Sequence, residues 1–154
     1  MISQSGPDRE QVLDWVERVA TFVSEEWGLA PITGRILGWL IACDPPEQTA
    51  GEIADAIGAS RASLTANMQL LTSVRLVRRF RKAGERNVYY QIEDDAWSKV
   101  LQQKLAAFIA FDRLAEEGLK LGWKDETQTG RIRSARTSIA ALAAVLDQVN
   151  ATGS

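Results

Sequence analysis

Apolar residues recur along this chain at steps of three and four through long stretches, interrupted once by a segment in which they alternate. From Asp8 to Trp27, Val12, Val16, Val19 and Val23 form one stripe with Trp15 and Phe22 beside it, which predicts an amphipathic helix stopped by Gly28. Pro31 suits a first helical turn, and Ile36, Leu37, Leu40 and Ile41 give a second helix its buried side before Asp44-Pro45-Pro46 ends it. Thr49 and Glu52, three apart, fit a capping box for a third helix, whose apolar side is Ile53, Ala54 and Ile57 before Gly58 turns the chain. Ser60 is placed to cap a fourth helix. Its Leu64, Met68 and Leu71 face the core, leaving Ala62, Ser63, Thr65, Ala66 and Gln69 mostly outward.

From Leu76 the period shortens. Leu76-Val-Arg-Arg-Phe and Asn87-Val-Tyr-Tyr-Gln-Ile are strand-like, rich in β-branched and aromatic residues, around a loop containing Gly84. Asp94 or Asp95 then caps a long helix to about Leu121, with Trp97, Leu101, Leu105, Phe108, Phe111, Leu114 and Leu119 at helical spacing. Gly122 to Gly130 reads as a polar turn, and the last helix carries Ile132, Ala135, Ile139, Leu142, Leu146 and Val149 as a heptad seam. The predicted fold is mainly α with a small β-hairpin wing. Residues 30–93 form the winged helix-turn-helix part of a single 1–154 domain, and helices over 8–28 and 94–150 flank it.

Composition changes the picture in three ways. The net charge is −2, yet residues 61–86 hold seven cations (Arg61, Arg75, Arg78, Arg79, Arg81, Lys82, Arg86) against Glu85, a local +6 that leaves −8 elsewhere. A basic patch on an acidic body implies an anionic partner met at one place. Histidine is absent and Cys43 is the single cysteine, which removes the commonest general base, a disulfide framework and a thiol metal cluster. With no nucleophile–base set, paired carboxylates or phosphate-binding glycine loop, the chain reads as no enzyme and implies no cofactor or metal. There is no long apolar run, and Met-Ile-Ser-Gln-Ser-Gly-Pro is too polar for a signal peptide, so a soluble, cytoplasmic protein without a membrane partner is expected.

A helix-turn-helix needs a small residue where its helices touch, a turn residue, and a bulky anchor on the second helix. Ala54, Gly58 and Leu64 meet these needs. With the basic hairpin after it, the pattern points to sequence-specific binding of double-stranded DNA. The candidate contacts are Thr49, Ser60, Arg61, Ser63, Thr65, Asn67 and Gln69 around the two helices, and Arg79, Arg81, Lys82 and Arg86 in the hairpin. Arg61 is suited to guanine edges or a phosphate, and Arg86 beside Gly84 to a minor groove. Arg78 and Arg79 alternate sides of a strand, so both cannot face DNA. Ala62 and Ala66 shorten the reading face, which shifts weight from direct readout toward DNA shape. The competing reading is an architectural or protein-interaction module without a specific operator; the missing opposite charges in the basic window speak against it.

Three stretches together resemble the MarR family of winged-helix transcriptional regulators, and within it the GbsR-like branch. They are Gly28-Leu-Ala-Pro-Ile-Thr-Gly-Arg-Ile-Leu-Gly-Trp-Leu-Ile, Glu52-Ile-Ala-Asp-Ala-Ile-Gly-Ala-Ser-Arg-Ala-Ser-Leu, and Leu76-Val-Arg-Arg with Gly84-Glu-Arg-Asn-Val-Tyr-Tyr. The resemblance implies a homodimer, usually a repressor, with interlocking first and last helices. It puts Ser60, Arg61, Ser63 and Thr65 on recognition-helix positions and Arg86 on the wing-tip arginine. Glu85 in its Gly-Glu-Arg setting and Ala66 depart from the family pattern. A dimer would read a pseudo-palindromic operator. Relatives often bind a small-molecule effector, and of Trp15, Trp27, Trp39, Trp97 and Trp123 some could line a pocket for one, even a cation-binding pocket. Cys43 lacks a basic neighbour and follows an apolar helix, so packing rather than oxidant sensing is its expected role.

Overall fold

Asp8 starts the first helix. In the computed structural model, which describes residues 6–152 (of Val149, Asn150 and Thr152 the backbone only), its carboxylate accepts the Gln11 N–H at 2.9 Å, and the Gln11 side chain accepts the Asp8 N–H at 3.0 Å. This closed capping box opens α1 (Arg9–Trp27), and Gly28 ends it at φ 67°, a conformation that costs glycine least. α2 (Pro31–Ala42) packs on α1 at backbone distance. A Cβ on Gly34 would stand 2.6 Å from Ala20 Cα, and one on Gly38 3.3 Å from Val16 Cα. The two glycines, one turn apart, make a flat strip into which Val16, Ala20 and Val23 seat.

That contact corrects one expectation. Ile41, assigned by spacing to the buried side of α2, is 37% exposed, because the glycine strip rotates the buried face to Thr33, Ile36, Leu37 and Leu40. Val12 and Val19 of the predicted α1 stripe are half-buried, and Trp15 and Phe22 lie outside the core.

α3 (Ala50–Ile57) and α4 (Arg61–Ser73) follow, with Gly58 in the left-handed region at φ 67° between them. Ile53, Ala54 and Ala56 meet Leu64, Met68 and Leu71 in the core, while Ile57 is half-buried. Ile36, Leu40, Ile53, Leu64, Leu71 and Val77 are at most 1% exposed. Truncating any one of the leucines or isoleucines to alanine should cost about 2–5 kcal/mol.

The predicted hairpin is present as β2 (Val77–Arg81) and β3 (Val88–Ile92), and a third strand joins it. β1 (Gln48–Thr49) pairs antiparallel with β3, Gln48 opposite Tyr90, giving the order β1-β3-β2. Two residues are too few to show a strand period, and Thr49 also caps α3, so its helix signal masked its sheet role.

The chain divides into two compact units, 1–97 and 98–154. α5 (Ala96–Leu119) ends two residues before its expected end, and α6 (Glu126–Thr152) starts earlier than expected. The Asp125 carboxylate accepts the Thr127 N–H at 2.9 Å and its hydroxyl at 2.8 Å, so the helix begins there and Gly130, expected in a turn, lies inside it. In the second unit Arg136 grips Asp112 with two bonds of 2.9 and 3.3 Å, and Gly118 admits Ile132. Of the seam, Ile132, Ala135, Ile139 and Leu146 are half-buried and Leu142 is exposed; the Val149 side chain lies outside the described part. Among the described residues no helix is long and apolar enough to cross a membrane.

Candidate nucleic-acid interface

α4 presents its polar side because its apolar residues fall on one line. Leu64, Met68 and Leu71 are buried, and Ala62, Thr65, Ala66 and Gln69 are exposed as the spacing requires, with Arg61 exposed beside them and Ser63, expected outward, half-buried. Ser60 caps the helix, its hydroxyl accepting the Ser63 N–H at 3.2 Å. The Thr65 hydroxyl donates to the Arg61 carbonyl at 2.8 Å. Thr49 is the cap of α3, its hydroxyl accepting the Glu52 N–H and its own N–H donating to the Glu52 carboxylate at 2.7 Å. Gly51 brings Thr49 and Arg61 together: a Cβ there would lie 3.0 Å from Arg61 Nη2 and 3.9 Å from Thr49 Oγ1. The Arg61 side chain therefore lies across the first turn of α3.

Asn67 behaves differently. It is half-buried, its Oδ1 accepts from the buried Thr33 hydroxyl at 2.6 Å, and its Nδ2 donates to the Ser63 carbonyl at 2.8 Å. Its amide is turned toward α2.

In the sheet the alternation of side chains sorts the arginines. Arg79 and Arg81 share a face with buried Val77, opposite Tyr90 and Val88, and run out beyond it, exposed. Arg78 takes the other face, where it donates to Gln91 at 2.8 Å and lies over the Phe80 ring at 4.9 Å. At the tip, the Glu85 N–H donates to the Lys82 carbonyl at 3.1 Å and Gly84 adopts φ 78°, the positive value a type II turn needs at that position. Arg86 is exposed beside it, and Glu85 accepts the Tyr89 hydroxyl, whose ionisation it suppresses.

Lys82 overturns the picture of uncompensated cations. Its ammonium pairs with Glu47 at 2.8 Å and sits 4.4 Å from the Tyr89 ring centre. The hydrogen bond from Lys82 holds the Glu47 carboxyl below its ordinary range, and the same bond raises the ammonium. Glu47 precedes β1, thirty-five residues away in sequence, and the pairing depends on the strand that the sequence pattern did not reveal.

Away from the basic elements, an apolar groove of about 320 Å³ is lined by Trp15, Arg18, Val19, Phe22, Val23, Ile41 and Trp97. Trp27 packs edge-on against both Phe22 and Trp97. Cys43 donates weakly to the Leu40 and Pro46 carbonyls, and burial, with Asp44 adding, pushes its thiol up to about 11. Among the described residues no group of histidine, cysteine and carboxylate side chains could hold a metal ion.

No family model matches the chain. The HTH-type transcriptional regulator MmpR5 of Mycobacterium tuberculosis is similar to it, 29% identical over 140 residues that span 90% of this chain and 84% of the relative. A crystal structure of a transcriptional regulator shares its fold with a TM-score of 0.70 and 28% identity, over 90% of this chain and 94% of that one. A looser likeness joins MepR of S. aureus, in the crystal structure of its complex with DNA, with a TM-score of 0.44 and 18% identity over 87% and 96% of the two chains. The fold is that of winged helix-turn-helix regulators, and these relatives are regulators rather than enzymes.

Proposed function

We propose that this chain is a sequence-specific DNA-binding transcriptional regulator of the MarR type, in its GbsR-like branch, that works as a homodimeric repressor and is released by a small-molecule effector. α4 enters the major groove with Arg61, Thr65 and Gln69 toward the bases, Ser60, Ser63 and Thr49 serve the backbone side, and the wing lies along the minor groove. Arg79, Arg81 and Arg86 supply phosphate and minor-groove charge, and Lys82 joins them only by leaving Glu47.

The observation that carries this reading is an exposed polar helix face flanked by exposed Arg79, Arg81 and Arg86, with which, among the described residues, no carboxylate pairs. The similarity to MmpR5 supports it. For the dimer, the support is apolar surface: Phe22, Phe108, Phe111 and Leu114 are each about half exposed or more, beyond what a lone chain ordinarily leaves in water. For the effector, the support is the groove beside Trp15 and Trp97, of a size that small ligands use. Arg18 in its lining argues against a cation there and for an apolar or anionic ligand.

Selection of bound fragments from the source genome tests the reading. The expected yield is a shared inverted repeat with half-site centres about 10–10.5 bp apart, or a multiple. Fragments without a common sequence would reduce the protein to an architectural binder.

A further inference from the structure

One part-buried hydrogen bond, from Thr33 to Asn67, ties α4 to α2. Arg61, Thr65 and Gln69 run down the exposed side. At 3.6 residues per turn Asn67 lies about 160° around the helix from Gln69, so both side chains cannot face the same groove floor. Thr33, which Asn67 meets at 2.6 Å, is 1% exposed in the first turn of α2. The next residue, Gly34, is in backbone contact with Ala20, which fixes the hydroxyl in the α1–α2 frame. Asn67 also ties itself to its own helix through the Ser63 carbonyl at 2.8 Å.

The buried residues of α4 are Leu64, Met68 and Leu71. Apolar burial resists lifting the helix off the core but is non-directional, whereas a hydrogen bond weakens steeply with misalignment. A turn of about 20° about the helix axis would move an outer side chain about 2 Å at the usual helix radius. That is enough to undo a bidentate base contact.

We infer that Asn67 is a positioning residue for DNA recognition: bonded to Thr33, it sets the rotation of α4 and so the base preference carried by Arg61, Thr65 and Gln69, without touching a base itself. The inference rests on the reading of α4 as the helix that enters the major groove. It also gives buried Thr33, which is on α2 and not on either helix of the α3–α4 pair, a part in specificity.

Selection from randomised duplexes with wild-type protein, Thr33→Val, Thr33→Ser, Asn67→Ala and the Thr33→Val/Asn67→Ala double variant tests it, alongside thermal melting and titration with a random-sequence duplex. Thr33→Val and Asn67→Ala should each lower the ratio of specific to non-specific affinity by about tenfold, the order of one good base contact. Random-duplex affinity should stay within about twofold, since phosphate contacts remain. Thr33→Ser should keep the wild-type preference, and the double variant should lose no more than either single one. A folded Thr33→Val with wild-type preference overturns the inference, as does Asn67→Ala losing discrimination at one base pair alone, the mark of a direct reader. Should Thr33→Val fail to fold, Thr33→Ala removes the same hydroxyl and carries the same reading. A wild-type protein without any preference overturns the DNA-reading proposal itself, and the inference with it.

Discussion

Gly51 leaves room for the Arg61 guanidinium, whose Nη2 would lie 3.0 Å from a Cβ at that position and would have to give way by a few tenths of an ångström. Arg61→Ala should change which sites are preferred or abolish specific binding, a loss of about 1–3 kcal/mol in discrimination read from site selection. An alanine variant with the wild-type preference would show that Arg61 grips only phosphate. Cys43 lies at the other extreme of reactivity. With its thiol at about 11, the thiolate is about one part in a thousand at pH 8, and burial adds to its inertness. Alkylation of the folded protein at that pH should be at least tenfold slower than of the urea-unfolded chain, whose thiol ionises near the ordinary value; equal rates would reopen an oxidant-sensing role. Gly34 is a packing residue with no slack: the added carbon of Gly34→Ala would stand 2.6 Å from the Ala20 backbone. That substitution should cost about 1–3 kcal/mol in urea unfolding, since backbone cannot step aside as a side-chain end can.

Among the elements, the wing divides its cations into free and paired ones, and the two kinds should respond differently to mutation. Arg86→Ala should flatten the dependence of log K on log salt by about 0.9, one phosphate contact. Lys82→Ala should flatten it less, because Lys82 is held by Glu47, and Glu47→Gln should steepen it by freeing the ammonium. Equal slopes for all three variants would mean that the wing does not touch DNA. The same pairing shows where sequence reading ran out. The helices were legible because their signals are local: Asp8 with Gln11, Thr49 with Glu52 and Ser60 with Ser63 bond across three residues, and the apolar steps of α4 match its buried line. Lys82–Glu47, Thr33–Asn67 and Gly34–Ala20 join residues distant in sequence, and no spacing rule announces them. Element and helical spacing alone do not separate Asn67, turned toward α2, from Thr65 and Gln69, turned outward.

For the whole molecule the open apolar surface is the feature that most needs an explanation. Leu101, Phe108, Phe111 and Leu114 on α5, and Leu142 and Val145 on α6, are exposed within the second unit, and Trp15 and Phe22 within the first. A twofold partner would cover such surface and would supply the second reading head that a pseudo-palindromic site requires. Removal of residues 130–154 leaves only the first turn of α6. The full chain should sediment as a dimer and the truncated chain as monomer or aggregate; a soluble dimeric truncate would take α6 out of the interface.

The central claim is that the chain recognises a particular DNA sequence rather than polyanions at large. Its most direct measurement is a fluorescence titration of full-length protein with a duplex recovered from its genome and with a scrambled duplex of equal length, at two salt concentrations. Binding to the recovered duplex should be about a thousandfold tighter or more at physiological salt, with salt weakening binding to both. Equal affinity for the two duplexes at both salt concentrations would contradict it.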